Sequence, residues 1–523
     1  MVGADNADAS AGVGTLVPLG AGSEAGGPDR QPPGGRQRLL SRLSDWRPLL
    51  TVLFAFAIPL VVTLWNPTVG TIDPWGLRVL AVVAAALVLW LTEVVTLAIS
   101  SLALVTMLAL VAPGDSGDAM DGALVGFQNS STFFILGALI LGLGTVRSGL
   151  ARRFARMLVT GARGSGVRLY VQMVAMMPLM ATLVPSALTR TSMLIPAYEE
   201  VFRRHGIERG HPLPRLVMIG TATLQILAST AVLTGGAVPV VAGALLGGLS
   251  WVEWFVYMAL PCYLILLLFA IALFIIYRPG MMPEARDEPL TMEQEQVHVQ
   301  VQSGPRPGEG PIQPVEWRAL CIIAATTLIW LTDGIHHLDP TIPALLGATV
   351  LLLPVIGVLR WEDVEASPPW PIVLVTGSSL SLAVALQESG AASWLADGMV
   401  GHLPLDRLPL IPLLLVLILM VTAVNVILPN RTAVLGITVP LMMSLAPSLR
   451  LNPMTVGLMV PIVAQTTVFY PVQLATALVT YRTRHYSTGE LFRAGVILMM
   501  ISIVVLLGVA IPWWGLMGEP IRP

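Results

Sequence analysis

The stretch VPSALTRTSMLIP, residues 184–196, and its later counterpart LPNRTAVLGITVP, residues 428–440, decide the fold. Each is thirteen residues long, has proline at its second and last positions, and sets hydroxyl and arginine side chains inside an apolar region. Working outward, LWLTE (89–93) returns as IWLTD (329–333), Ser148-Gly149 as Ser389-Gly390, and Pro212 as Pro453. The offsets run from 240 to 244 residues, so the two halves are collinear. Two apolar copies, each interrupted by a prolyl, polar break, imply membrane-embedded repeats with a site between them, the architecture of secondary transporters.

Composition supports a membrane class. Of 523 residues, 55% are hydrophobic and 11% charged, with a mean hydropathy of +0.78; soluble chains carry about 25% charge. All 29 basic residues are arginine, which we attribute to genomic base composition. Cys262 and Cys321 both lie in apolar segments, so no disulfide framework is expected. Residues 1–47, rich in Gly, Ala, Ser and Pro, read as a disordered cytoplasmic tail rather than a signal peptide, because no apolar run precedes Pro48. Residues 48–76 supply a first transmembrane helix and outer loop. The first repeat is 77–277, with a hairpin at 169–202; a polar cytoplasmic linker spans 278–315. The second repeat is 316–523, with a hairpin at 408–447.

Eleven spans follow from hydropathy: 48–65, 77–94, 96–112, 129–146, 214–249 and 253–277, then 316–333, 341–359, 370–387, 453–481 and 490–514. Segments 169–202 and 408–447 are too long for one helix and carry a central Pro, so they read as re-entrant hairpins whose tips meet inside the protein. Arginines concentrate in the tail, 147–168, 203–215, 278–318, 360–369 and 482–484, whereas 66–76, 113–128, 249–252 and 334–340, read as outer loops, have none. The positive-inside rule then places the N-terminus in the cytoplasm and the C-terminus outside, with the repeats inverted. The expected fold is an all-α, multi-pass plasma (inner) membrane protein.

The W-L-T-E motif at 90–93, the pattern from Gly377 to Ala396, and the run VFYPVQLATALVTY (468–481) with GELFRAG (489–495) resemble the divalent anion:sodium symporter family, which includes solute carrier family 13. The likeness covers Leu77 to Trp514. It implies a carrier of dicarboxylates, citrate or sulfate, an elevator-like motion and a homodimer. Family members carry Ser-Asn-Thr at each hairpin tip. Here Ser186 keeps the serine of the first, followed by Ala187 and Leu188, and Asn430, Arg431 and Thr432 occupy the second. The glycine-rich loop of the family stands as TGGAVP (234–239) and, in the second repeat, as PVQLAT (471–476).

A broken helix offers N–H groups and a positive dipole end to an anion, and carbonyl ends to a cation. Ser186, Thr189, Asn430 and Thr432 either hydrogen-bond an anion or satisfy hairpin backbone. Arg190 and Arg431 are costly at membrane depth, about 2.5–3.5 kcal/mol on an insertion scale, and either bind an oxyanion through the planar fork or make structural pairs. A guanidinium where the family places a sodium ligand would repel sodium and stand in for its charge, as in an exchanger or proton-coupled carrier. Thr234, Gly235 and Gly236 are expected in the coupling-ion or broken-helix loop, the glycines permitting unwound backbone, and Gln465, Thr466 and Thr467 either line the site or hydrogen-bond between helices. Glu93 and Asp333 close their spans as polar caps; a proton or cation relay is the alternative, with Glu93 the better placed. His336, His337 and Asp339 read as a solvated loop rather than a metal site.

The resulting reading is a secondary carrier of small anions, with membrane lipid and the anion as partners, no nucleic acid, and no cofactor beyond Na+ or H+ as coupling ion. The alternatives are a cation/proton or arsenite antiporter of the same superfamily, which needs a midplane acid, and a membrane-embedded enzyme. The seven histidines form no catalytic set, and no P-loop occurs.

Overall fold

The computed structural model describes residues 35–523 except 68–69, 115, 151–152, 154–156, 158–163, 185, 281, 284–310, 367–369, 403–404, 429 and 523. Met1–Arg47 forms one unit and Pro48–Pro523 another. In the first, residues 35–47 are helical, so the expected tail boundary at 47 falls inside helix; the rest of that tail and most of the 278–315 linker lie outside the described residues.

Within Pro48–Pro523 the described residues are helical, with no strand. Among the described residues nine helices are long and apolar enough to cross a membrane, and three shorter apolar ones, Leu97–Val111, Thr341–Leu352 and Pro453–Thr466, accompany them. Every span expected from hydropathy is occupied by helix. The hairpins are there too, as Gly166–Leu183 with Ala187–Arg204 and as Leu410–Ile427 with Arg431–Ser448.

The repeat is visible atom by atom. Thr92 and Thr332 end the W-L-T motifs by donating to the carbonyls four residues back, Val88 at 2.7 Å and Leu328 at 2.9 Å. Trp90 and Trp330 are both buried. Pro212 and Pro453 each open a helix, capped by His211 and Asn452, because proline has no N–H to leave unpaired at that position.

One segment departs from expectation. Residues 113–128, read as an outer loop, contain the helix Ser116–Gln128, packed along Trp370–Glu388 of the other repeat. Its two acids and three glycines depress its hydropathy. Its glycine permits the packing: a Cβ on Gly126 would lie 2.1 Å from the Gly377 carbonyl oxygen, and its N–H donates to Ser381 Oγ at 3.0 Å. Further ties between the halves run from Thr341 Oγ1 to the Ser130 carbonyl at 3.1 Å and from Arg153 to the buried Glu316 at 2.6 Å.

Candidate functional site

The two hairpins turn by the same device. In the first, Val184 ends one arm and Ser186 caps the next; its Oγ accepts from the N–H of Thr189 at 3.2 Å and from Thr189 Oγ1 at 2.9 Å. In the second, Asn430 Oδ1 accepts from the N–H groups of Thr432 at 3.1 Å and Ala433 at 3.5 Å, and from Thr432 Oγ1 at 3.0 Å. Such caps satisfy donors that a helix start leaves orphaned. Ser186, Thr189, Thr432 and the side-chain oxygen of Asn430 are therefore engaged within their own tips, while Asn430 Nδ2 is buried without a partner.

The two arginines differ. Arg190 is fully buried. Its Nε donates to Gln225 Oε1 at 2.8 Å, its Nη2 to the Gln225 carbonyl at 3.2 Å and to Ser229 Oγ, and its Nη1 to the Val184 carbonyl. Arg431 is 7% exposed and donates from Nη2 to the Thr467 carbonyl at 2.9 Å. Its Nε and Nη1 are buried without a partner. A buried donor left unsatisfied costs about 1–3 kcal/mol, more when charged, and both of these donors stand unsatisfied within the protein.

Arg431 lines a cavity of about 250 Å³, just below the usual range of ligand sites, about 300–1,000 Å³. The cavity gathers both repeats. Ser186 and Ser229, Thr234 to Gly236, and Ala237 come from the first; Arg431, Gln465 and Ala475-Thr476 come from the second. Apolar side chains such as Ile135, Leu139, Ile226 and Leu474 complete it, and no carboxylate lines it among the described residues.

Two helix starts open on this space. Each repeat has a broken helix: Pro212–Thr230, a tight turn Leu233–Gly235, then Ala237–Leu245; and Pro453–Thr466, a turn Pro471–Gln473, then Ala475–Arg482. Neither second half receives a side-chain cap from its preceding residue, Gly236 or Leu474. Orphan N–H groups and the positive dipole ends at the first turns of both favour an anion. Most cavity hydroxyls are already engaged: Thr234 Oγ1 accepts from Trp251 Nε1 at 3.4 Å, and Thr476 Oγ1 donates to the Ala222 carbonyl at 2.7 Å. Gln465 Oε1 is buried without a partner.

Of the expected residues, Ser186, Thr234, Gly235, Gly236, Arg431 and Gln465 meet at the cavity; Thr189, Arg190, Asn430, Thr432, Thr466 and Glu93 do not line it. Thr466 bonds Ser502 Oγ at 3.1 Å. Glu93 is an exposed helix C-cap in left-handed conformation. Gly235 is sterically required, since a Cβ there would lie 2.1 Å from the Ser229 carbonyl oxygen. Gly236 corrects the expectation for the pair: its φ of 169° is extended backbone open to any residue, with free space around its Cβ position. Sequence reasoning missed Gln225, Ser229 and Thr476. A glutamine and a serine four residues apart in an apolar span were the available signal for the first two.

The sequence matches, over residues 46–519, the family described as the sodium:sulfate symporter transmembrane region. An uncharacterized transporter of Haemophilus influenzae is 25% identical over 88% of this chain and 97% of its own length. The Na(+)/dicarboxylate cotransporter 3 of Rattus norvegicus is 28% identical over 30% of this chain and 25% of its own. A solved structure, the Alcanivorax borkumensis YdaH transporter, aligns at 15% identity and a TM-score of 0.49, covering 84% of this chain and all of that one. A match spanning almost every described helix, together with a broken-helix cavity that holds a guanidinium and no acid, leads to one assignment: the chain belongs to the sodium:sulfate symporter family of multi-pass membrane anion transporters.

Proposed function

We propose that this protein is a secondary carrier of a small anion of the dicarboxylate, citrate or sulfate class, bound in the cavity between the two repeats near the membrane midplane. The unpartnered Nε and Nη1 of Arg431 carry the reading. Each of these two donors can give a charge-assisted hydrogen bond to a carboxylate or sulfate oxygen, and the uncapped starts of Ala237–Leu245 and Ala475–Arg482 add N–H donors and partial positive charge. A cation/proton antiporter would need an acid in the cavity; the lining has none. The arginine distribution supports N-in, C-out orientation with inverted repeats, and the family likeness supports a homodimer. Sodium is the coupling ion that the family's description names.

The test is ligand-dependent thermal stability of the purified protein with succinate, citrate, sulfate and small monocarboxylates. A ligand binding the folded state raises Tm by mass action. We expect an anion-specific rise that Arg431→Ala abolishes. No rise with any anion, or one unchanged in Arg431→Ala, sinks the reading.

A further inference from the structure

Both buried arginines donate to the C-terminal part of the first segment of a broken helix or to the residue just past it. The first half of each broken helix, Pro212–Thr230 and Pro453–Thr466, points its C-terminal end toward the adjacent hairpin tip. Those ends concentrate negative partial charge and are where a transported cation is held in broken-helix carriers. In the first repeat four oxygens converge there: Gln225 Oε1, the Gln225 carbonyl, Ser229 Oγ and the Val184 carbonyl at the end of the hairpin arm. The group inside that cage is the Arg190 guanidinium. In the second repeat the Thr467 carbonyl, just past the end of Pro453–Thr466, receives Arg431 at 2.9 Å.

We infer that the guanidinium groups of Arg190 and Arg431 take the places of transported cations, so that anion binding and transport here are independent of sodium. The charge is covalently fixed: a guanidinium stays protonated and cannot leave with the substrate. A sodium ion brought to the same oxygens would meet like charge at a few ångströms and lose the oxygen ligands it needs. The two groups differ in one respect. Every guanidinium nitrogen of Arg190 donates into the cage, whereas Arg431 keeps Nε and Nη1 for the anion. The inference deepens the proposed function and rests on it for the anion at Arg431; the Arg190 cage stands without it.

The experiment compares Tm in sodium chloride and choline chloride, with and without succinate or sulfate, for wild type, Arg190→Ser and Arg190→Lys. Wild type and Arg190→Lys should respond alike in both salts. Arg190→Ser, its cage emptied of charge, should gain a Tm rise specific for sodium or for a few mM free guanidinium ion over choline, an amount chosen to stay well below denaturing concentrations. A sodium-specific rise in wild type, or an anion response that requires sodium, overturns the inference. Should Arg190→Ser not fold, the wild-type comparison decides alone, backed by uptake into proteoliposomes with and without a sodium gradient. If no anion acts in either salt while the sodium comparisons come out as stated, the proposed anion site fails and the Arg190 assignment stands.

Discussion

Gln225 holds Arg190 twice, with its side-chain oxygen on Nε at 2.8 Å and its main-chain oxygen on Nη2 at 3.2 Å. One residue of the first broken helix thus clamps the first hairpin tip. Removing the side-chain acceptor in Gln225→Leu leaves a buried charged donor unpaired, and hydrogen bonds to charged groups contribute about 1.5–3 kcal/mol. We expect a loss of stability of that order, seen as a lower Tm, with a larger loss in Arg190→Ala, where Gln225, Ser229 and Val184 all lose a donor.

Arg431 should behave differently. It has one protein hydrogen bond, to Thr467, so Arg431→Ala costs little folding stability but removes the two donors proposed to hold the anion. Two charged hydrogen bonds at about 1.5 kcal/mol or more correspond to a loss of affinity on the order of 100-fold. Arg431→Lys keeps the charge without the fork and should fall between. Equilibrium binding of radiolabelled anion measures this, and an affinity unchanged in Arg431→Ala contradicts it.

The neighbouring glycines separate in the same way. Gly235→Ala drives a Cβ to within 2.1 Å of the Ser229 carbonyl oxygen, and such overpacking costs about 1–3 kcal/mol. Gly236→Ala meets open space, so the fold should hold while the added methyl narrows the cavity. A melting curve beside an uptake assay distinguishes the pair.

Loss of the caps is a stability effect first. Ser186→Ala and Asn430→Ala each remove a helix N-cap worth about 1 kcal/mol. If either lowers anion affinity at saturating stability without lowering Tm, the tip side chain touches substrate and the capping account is wrong.

Glu93→Gln tests the relay alternative. The side chain is exposed at a helix end and away from the cavity lining, and exposed substitutions shift free energies by about 0.5 kcal/mol or less. Uptake across a pH series should stay within roughly twofold of wild type; a displaced pH profile would restore Glu93 to the mechanism.

The repeats, the hairpins and the broken helices were legible because proline and short polar residues interrupt long apolar runs, and nothing else in a membrane chain produces that pattern twice at one spacing. The different fates of the two arginines were not. They follow from how far past its helix start each arginine stands. Asn430 caps immediately before Arg431, which therefore stands at the break itself, whereas Ser186 caps four residues before Arg190, which is carried one turn along and turned into the protein. The caps coincide in the two copies, and an arginine set three residues further past its cap separates a closed guanidinium from an open one. The helix Ser116–Gln128 escaped notice for another reason: its glycines serve a contact with a segment some 250 residues away, in a relationship that local hydropathy does not record.

The unsatisfied edge of Arg431 also bears on what the carrier does when nothing is bound. An empty site exposes a bare positive charge to the low-dielectric interior it must cross, whereas a docked anion cancels it. On the proposed function, vacant return is then the slow, voltage-sensitive stroke, and a second anion waiting on the far side is the fastest way home.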